Sequence, residues 1–160
     1  MTGGPSLGRH EYNQRLDELA SAFHGRYGQV DFGDEVSPSG QTRKLQITVV
    51  VPGWGLPTSA TMVFVERHEW RDPLWVPYDY AYDLTFEPKP SVRFAYHWAR
   101  SVFHVHCEDP KHPRPGHHYK GAPVDDLFWV AQTLFEMIHQ GITCQGLQPL
   151  TGWQVPGPES

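Results

Sequence analysis

The sequence predicts an α+β domain: an N-terminal helix, an antiparallel meander of four to five strands and a C-terminal helix, both helices on one sheet face. Two changes of hydrophobic period predict it. Apolar residues recur at helical spacing near each end of the folded region, and alternate at a period of two between them. The chain holds 15 Gly and 15 Pro, many of them between the apolar runs or in the tails, and the short connections let successive strands pair as neighbours. The 6 Trp, 7 Tyr and 8 Phe supply large burial areas, which lets modest aliphatic content build a core.

Residues 1–8 are Gly/Pro/Ser-rich and read as a disordered tail, 9–144 as the single domain and 145–160 as a second Gly/Pro-rich tail. From His10 to Arg26, Tyr12, Leu16, Leu19, Ala20 and Phe23 draw one helical stripe, and Gly25 and Gly28 end it. Asp34 to Gly40 reads as a polar turn. Leu45, Ile47, Val49 and Val51 form the apolar face of the first strand, and the second runs from Ala60 to His68. Tyr78, Tyr80, Tyr82 and Leu84 alternate with Asp79, Ala81, Asp83 and Thr85 in the third. Val92, Phe94, Tyr96 and Trp98 alternate with Arg93, Ala95 and His97 in the fourth, and Val102 to Cys107 is the fifth. A proline-rich loop from Glu108 to Pro123 precedes the closing helix, Val124 to Gln140. Asp125 and Asp126 occupy its first turn, where the helix dipole favours acids.

A formal charge of −5 excludes a protein that coats nucleic acid through bulk charge, while leaving room for a local basic site. Cys107 and Cys144 form no CxxC pair and read as reduced, buried thiols. No signal peptide and no membrane-length apolar run is visible, so the expected location is cytoplasmic.

The chemistry concentrates in one stretch. His104, His106, His112, His117 and His118 place five of the ten histidines within 15 positions. On a strand, His104 and His106 point to one face, and Phe103, Val105 and Cys107 dock the other on the core. Two imidazoles at i and i+2 have three uses. They can share a divalent ion such as zinc or manganese, with His112, His117 or a carboxylate such as Glu108 as a further ligand. They can act as acid and base on a phosphodiester, with Arg93 and His117 in support. They can also be a structural pair. Lys111, Arg114, Tyr119 and Lys120 give the loop substrate-binding character toward an anion. Arg93 and His97 share one face of the fourth strand as Asp79 and Asp83 do on the third, so the four meet if those strands are neighbours. Trp54 and Trp70 are candidates for base stacking.

Several of these pieces recur in order in a known family. Tyr78-Asp79-Tyr80-Ala81-Tyr82, Val92-Arg93-Phe94-Ala95-Tyr96-His97, Phe103-His104-Val105-His106 and the helix from Val124 together resemble the TumE-like toxins of prokaryotic toxin–antitoxin systems, over residues of about 78–140. The family's Arg-Tyr-Asp stands here as Arg93-Phe94-Ala95, without its acid. The resemblance implies a toxin that acts on RNA or nucleotides and is restrained by an antitoxin partner.

The expectation is therefore a nuclease-like toxin or defence protein, a phosphodiester hydrolase working through its histidine cluster. The alternative is a non-catalytic adaptor whose cluster is structural or binds zinc. A third reading takes His104-Val105-His106 as the His-hydrophobic-His element of rolling-circle endonucleases, with Tyr119 and Lys120 beside it.

Overall fold

The computed structural model describes residues 6–27, 30–51, 60–86, 93–99, 102–108 and 117–119, together with Leu127, 130–132 and Leu134. A 19-residue helix, α1 (Arg9–Tyr27), precedes strands β1 (Val30–Val36), β2 (Thr42–Val51), β3 (Ala60–Arg71), β4 (Leu74–Phe86), β5 (Arg93–Ala99), β6 (Val102–Glu108) and β7 (His117–Tyr119). The strands form one sheet in sequence order, every neighbouring pair antiparallel. The architecture is the expected α+β meander, extended by one strand at each edge.

α1 starts where Gly8 offers its carbonyl to Tyr12 N–H at 2.9 Å and Glu11 stands in the acid-favouring first turn. It buries Tyr12, Leu16, Leu19, Phe23 and Tyr27, a stripe repeating at three to four residues, each side chain stabilising the docked helix by about 1.5–3 kcal/mol. Gly25 lies inside the helix, and the stop falls after Tyr27. On the sheet, Leu45, Ile47, Val49, Ala60, Met62, Phe64, Tyr80, Tyr82, Leu84 and Trp98 supply the facing half of the core. Leu127, Val130, Ala131 and Leu134 are helical and buried in the same cluster, and Arg26 of α1 donates to Gln132. Both helices thus cover one face. No described helix is long and apolar enough to cross a membrane.

Three expectations change. The polar turn begins later, because Val30–Val36 is an edge strand, charged at Asp31, Asp34 and Glu35 as edges that avoid further pairing commonly are. Its hairpin turns at Ser37–Gly40, where Gly40 takes φ of 74° and Ser37 Oγ accepts from Thr42 N–H at 3.1 Å. The beginning of the chain is ordered from Leu7, which exchanges backbone hydrogen bonds of 3.0 and 2.7 Å with Trp75. Lastly, Tyr78 does not share the face of Tyr80 and Tyr82. Arg67 pairs with Asp79 and His68 with Pro77, leaving Tyr78 as the extra residue of a β-bulge. Of the loop expected from Glu108 to Pro123, Glu108 ends β6 and His117–Tyr119 forms β7, while 109–116 and 120–123, like the expected tail from residue 145, lie outside the described residues.

Candidate active site

Two polar constellations lie on opposite faces of the sheet. The first is buried under α1. Glu66 and His68 occupy the inward positions that continue Ala60, Met62 and Phe64 along β3, and are only 4% and 2% exposed. Arg15 of α1 donates to both Glu66 oxygens, at 2.7 and 2.9 Å, and Tyr82 O–H donates to the same carboxylate at 2.7 Å. Burial by itself would raise the Glu66 carboxyl, but the facing guanidinium and these hydrogen bonds bring it below the ordinary carboxylate value. Beside it, Arg43 lies 4.1 Å above the Tyr12 ring and donates to Asp34 at 2.8 and 2.6 Å. His68 packs edge-on against Tyr12 at 5.0 Å, and among the described residues neither its Nδ1 nor the Tyr12 hydroxyl has a hydrogen-bond partner. Burial drops the His68 imidazole to about 4; Glu66 pulls it the other way, and Arg15 and Arg43 add to the drop.

The direction of these shifts predicts acid lability. A neutral buried His68 contributes stability above its unfolded value near 6.5, and that contribution falls away as pH drops toward 4. Glu66, depressed, acts in the same sense below its ordinary value of 4.5. Urea unfolding should show about 2 kcal/mol less stability at pH 5 than at pH 7 from His68, and His68→Phe should flatten that interval. An unchanged slope in the variant would place the acid sensitivity elsewhere.

This buried cluster lies between α1 and β3. It clasps α1 to the sheet.

The second constellation lies on the face opposite the helices, where the pairing register draws cross-strand rows. One row runs Val65, Ala81, His97, His104 across β3 to β6. The next runs Val63, Asp83, Ala95, His106, His118 across β3 to β7. A third places Thr85, Arg93 and Glu108 together across β4 to β6. In antiparallel pairs, directly opposed residues approach within about 5 Å, and next-but-one residues on a strand lie about 7 Å apart. The face therefore carries His97 opposite His104, His106 opposite His118, and Arg93 one step beyond. Inside this patch His97 Nε2 stands 3.3 Å from both Asp83 carboxylate oxygens, both side chains about one-fifth exposed. A carboxylate in that place fixes the orientation of the ring. Val63, Val65 and Ala81 are half-buried and lay a low apolar floor beside the histidines.

The register brings together three of the four sequence-derived catalytic positions, Arg93, His104 and His106. On β7 it is His118, and not His117, that stands opposite His106. His117 is opposite Cys107 and Tyr119 opposite Val105, both on the helix side of β7. Tyr119 lies on a strand, so the endonuclease reading lacks its helix-borne tyrosine. Of the four residues proposed to meet on this face, Asp83 and His97 do so, while Asp79 accepts from Arg67 at 3.1 Å. Lys111, His112, Arg114 and Lys120 lie outside the described residues, as does Trp54. Trp70 packs against the core and Trp75, with Arg9 4.6 Å above its ring. Among the described residues no group of three His, Cys, Asp or Glu is placed to hold a metal ion.

Fold and site together define an antiparallel α+β sheet whose side opposite the described helices carries histidine positions from three adjacent strands. No protein-family model, curated protein or solved structure matches the chain.

Proposed function

We propose that this protein cleaves RNA by metal-independent acid–base catalysis on the sheet face opposite its helices, in the manner of a nuclease toxin or defence protein. The observation that carries the reading is the register: it sets His97 against His104 and His106 against His118 in neighbouring rows, with Arg93 one step away. Phosphodiester cleavage needs two proton transfers at a spacing of this order and a cation for the phosphorane. One imidazole accepts the 2′-hydroxyl proton as that oxygen attacks phosphorus. A second, protonated imidazole donates to the departing 5′-oxygen, which leaves a 2′,3′-cyclic phosphate and a 5′-hydroxyl. Asp83 fixes His97 in the same patch, and Arg93 is the charge partner for the phosphate.

The resemblance to TumE-like toxins points the same way and adds a restraining antitoxin as the expected partner. Overall charge is negative, so substrate recognition is local to this face.

The purified full chain, with a chelator present, is expected to cut single-stranded RNA and leave cyclic phosphate ends. Mass spectrometry of the products reads both features. Intact RNA under these conditions, from protein with native circular dichroism, would favour the non-catalytic adaptor. Cleavage only after adding zinc or manganese would move the histidines into a metal site.

A further inference from the structure

The bulge in β4 places an aromatic side chain on the histidine-bearing face. Asp79 lies on that face, since it bonds Arg67, and the inserted Tyr78 joins it there instead of following Tyr80 and Tyr82 inward. Tyr78, half-buried, lines a pocket of about 440 Å³ with Lys44, Arg67, Thr42, Ser37 and Glu35. Lys44 and Arg67 are direct cross-strand partners. Their row, continued through Asp79, Ala99 and Val102, is adjacent to the row of His97 and His104. By strand spacing and residue rise, Tyr78 stands about 12 Å from the His104 position, a few nucleotides along a strand.

Resting on the RNA reading above, we propose that this pocket is a second nucleotide subsite of the same single-stranded RNA, Tyr78 stacking on a base and Lys44 and Arg67 holding its phosphate. Stacking needs a ring face beside a cation, and the bulge supplies the ring where ordinary alternation would have buried it. Arg67 gives one N–H to Asp79 and, as a guanidinium, keeps others for a phosphate oxygen. Ser37 and Thr42 bring hydroxyls to the rim. Glu35 is the acid of the lining and stands opposite Lys44 in register, which favours a ribose or base edge on that side over a second phosphate.

The test uses a fluorescein-labelled, single-stranded 2′-O-methyl octanucleotide, which lacks the attacking hydroxyl and stays intact, in anisotropy titrations with the full chain. Tyr78→Ala is expected to weaken binding about tenfold and Tyr78→Phe to leave it unchanged, since the ring and not the hydroxyl stacks. Lys44→Ala should weaken binding and lower the salt dependence by about one phosphate contact. Wild-type affinity in both Tyr78→Ala and Lys44→Ala, or no binding by the native chain, would overturn the proposal. Dinucleotide cleavage separates it from the catalytic reading, because a dinucleotide reaches only the histidine rows. An uncut dinucleotide beside weakened octanucleotide binding in Tyr78→Ala would sink the cleavage reading and leave the subsite standing.

Discussion

The His104→Ala/His106→Ala double variant is expected to lose RNA cleavage by at least about 10²–10⁴-fold, the range for removing a positioned acid or base. Either single substitution should cost nearly as much as both, because groups that transfer protons in one reaction act as a unit. Stability should barely move. Both positions lie on the sheet face away from the helices, one opposite His97 and the other opposite Ala95, and substitutions outside the core usually change stability by about 0.5 kcal/mol or less. Cleavage rates on an RNA oligonucleotide, set beside urea unfolding of the same preparations, separate the two effects. Retained cleavage in the double variant would remove His104 and His106 from the chemistry.

Arg15→Ala should produce the reverse pattern, a large loss of stability and no specific catalytic defect. Arg15 supplies both guanidinium contacts to the Glu66 carboxylate, which among the described residues is otherwise held by Tyr82 O–H. Taking it away leaves a charge stranded between α1 and the sheet, a change that costs about 3–5 kcal/mol when one partner of a buried pair is removed. Arg15 is 19% exposed on its side chain against 5% for Glu66, so water can reach part of the gap and the lower end of that range is expected. Adding Glu66→Gln should recover part of the loss, since the amide oxygen still accepts from Tyr82 while the stranded charge is gone. A urea midpoint series on the single and double variants checks this. A double variant no more stable than Arg15→Ala would mean that helix packing, and not the stranded carboxylate, sets the cost.

Much of this fold was legible because period-two alternation is a direct consequence of burying one sheet face. Leu45 to Val51, Tyr80 to Thr85 and Arg93 to Trp98 read correctly for that reason. β1 escaped notice because Asp31, Asp34 and Glu35 around Gly33 give an edge strand the composition of a turn. The bulge was invisible because one inserted residue, Tyr78, leaves Tyr-x-Tyr-x-Tyr looking regular while changing which face its first member joins. The same alternation held information that apolar counting passes over. Glu66 and His68 continue the inward phase of Phe64, so their burial, and the need for a partner such as Arg15, follows from the strand pattern. On the candidate site, sequence spacing gave the His104 and His106 pair, but only the register between β5, β6 and β7 could add His97 and choose His118 over His117. Long-range pairing is what a local pattern does not contain.

The central claim is that histidines on this face use a 2′-hydroxyl as nucleophile without a metal. The most direct measurement is the cleavage pattern of a DNA oligonucleotide carrying a single ribonucleotide, incubated with the full chain and a chelator. The account predicts one cut, on the 3′ side of that ribonucleotide, with a cyclic phosphate on the upstream fragment. Cuts at deoxynucleotides, or an uncut oligonucleotide alongside one cleaved only when a metal is supplied, would contradict it.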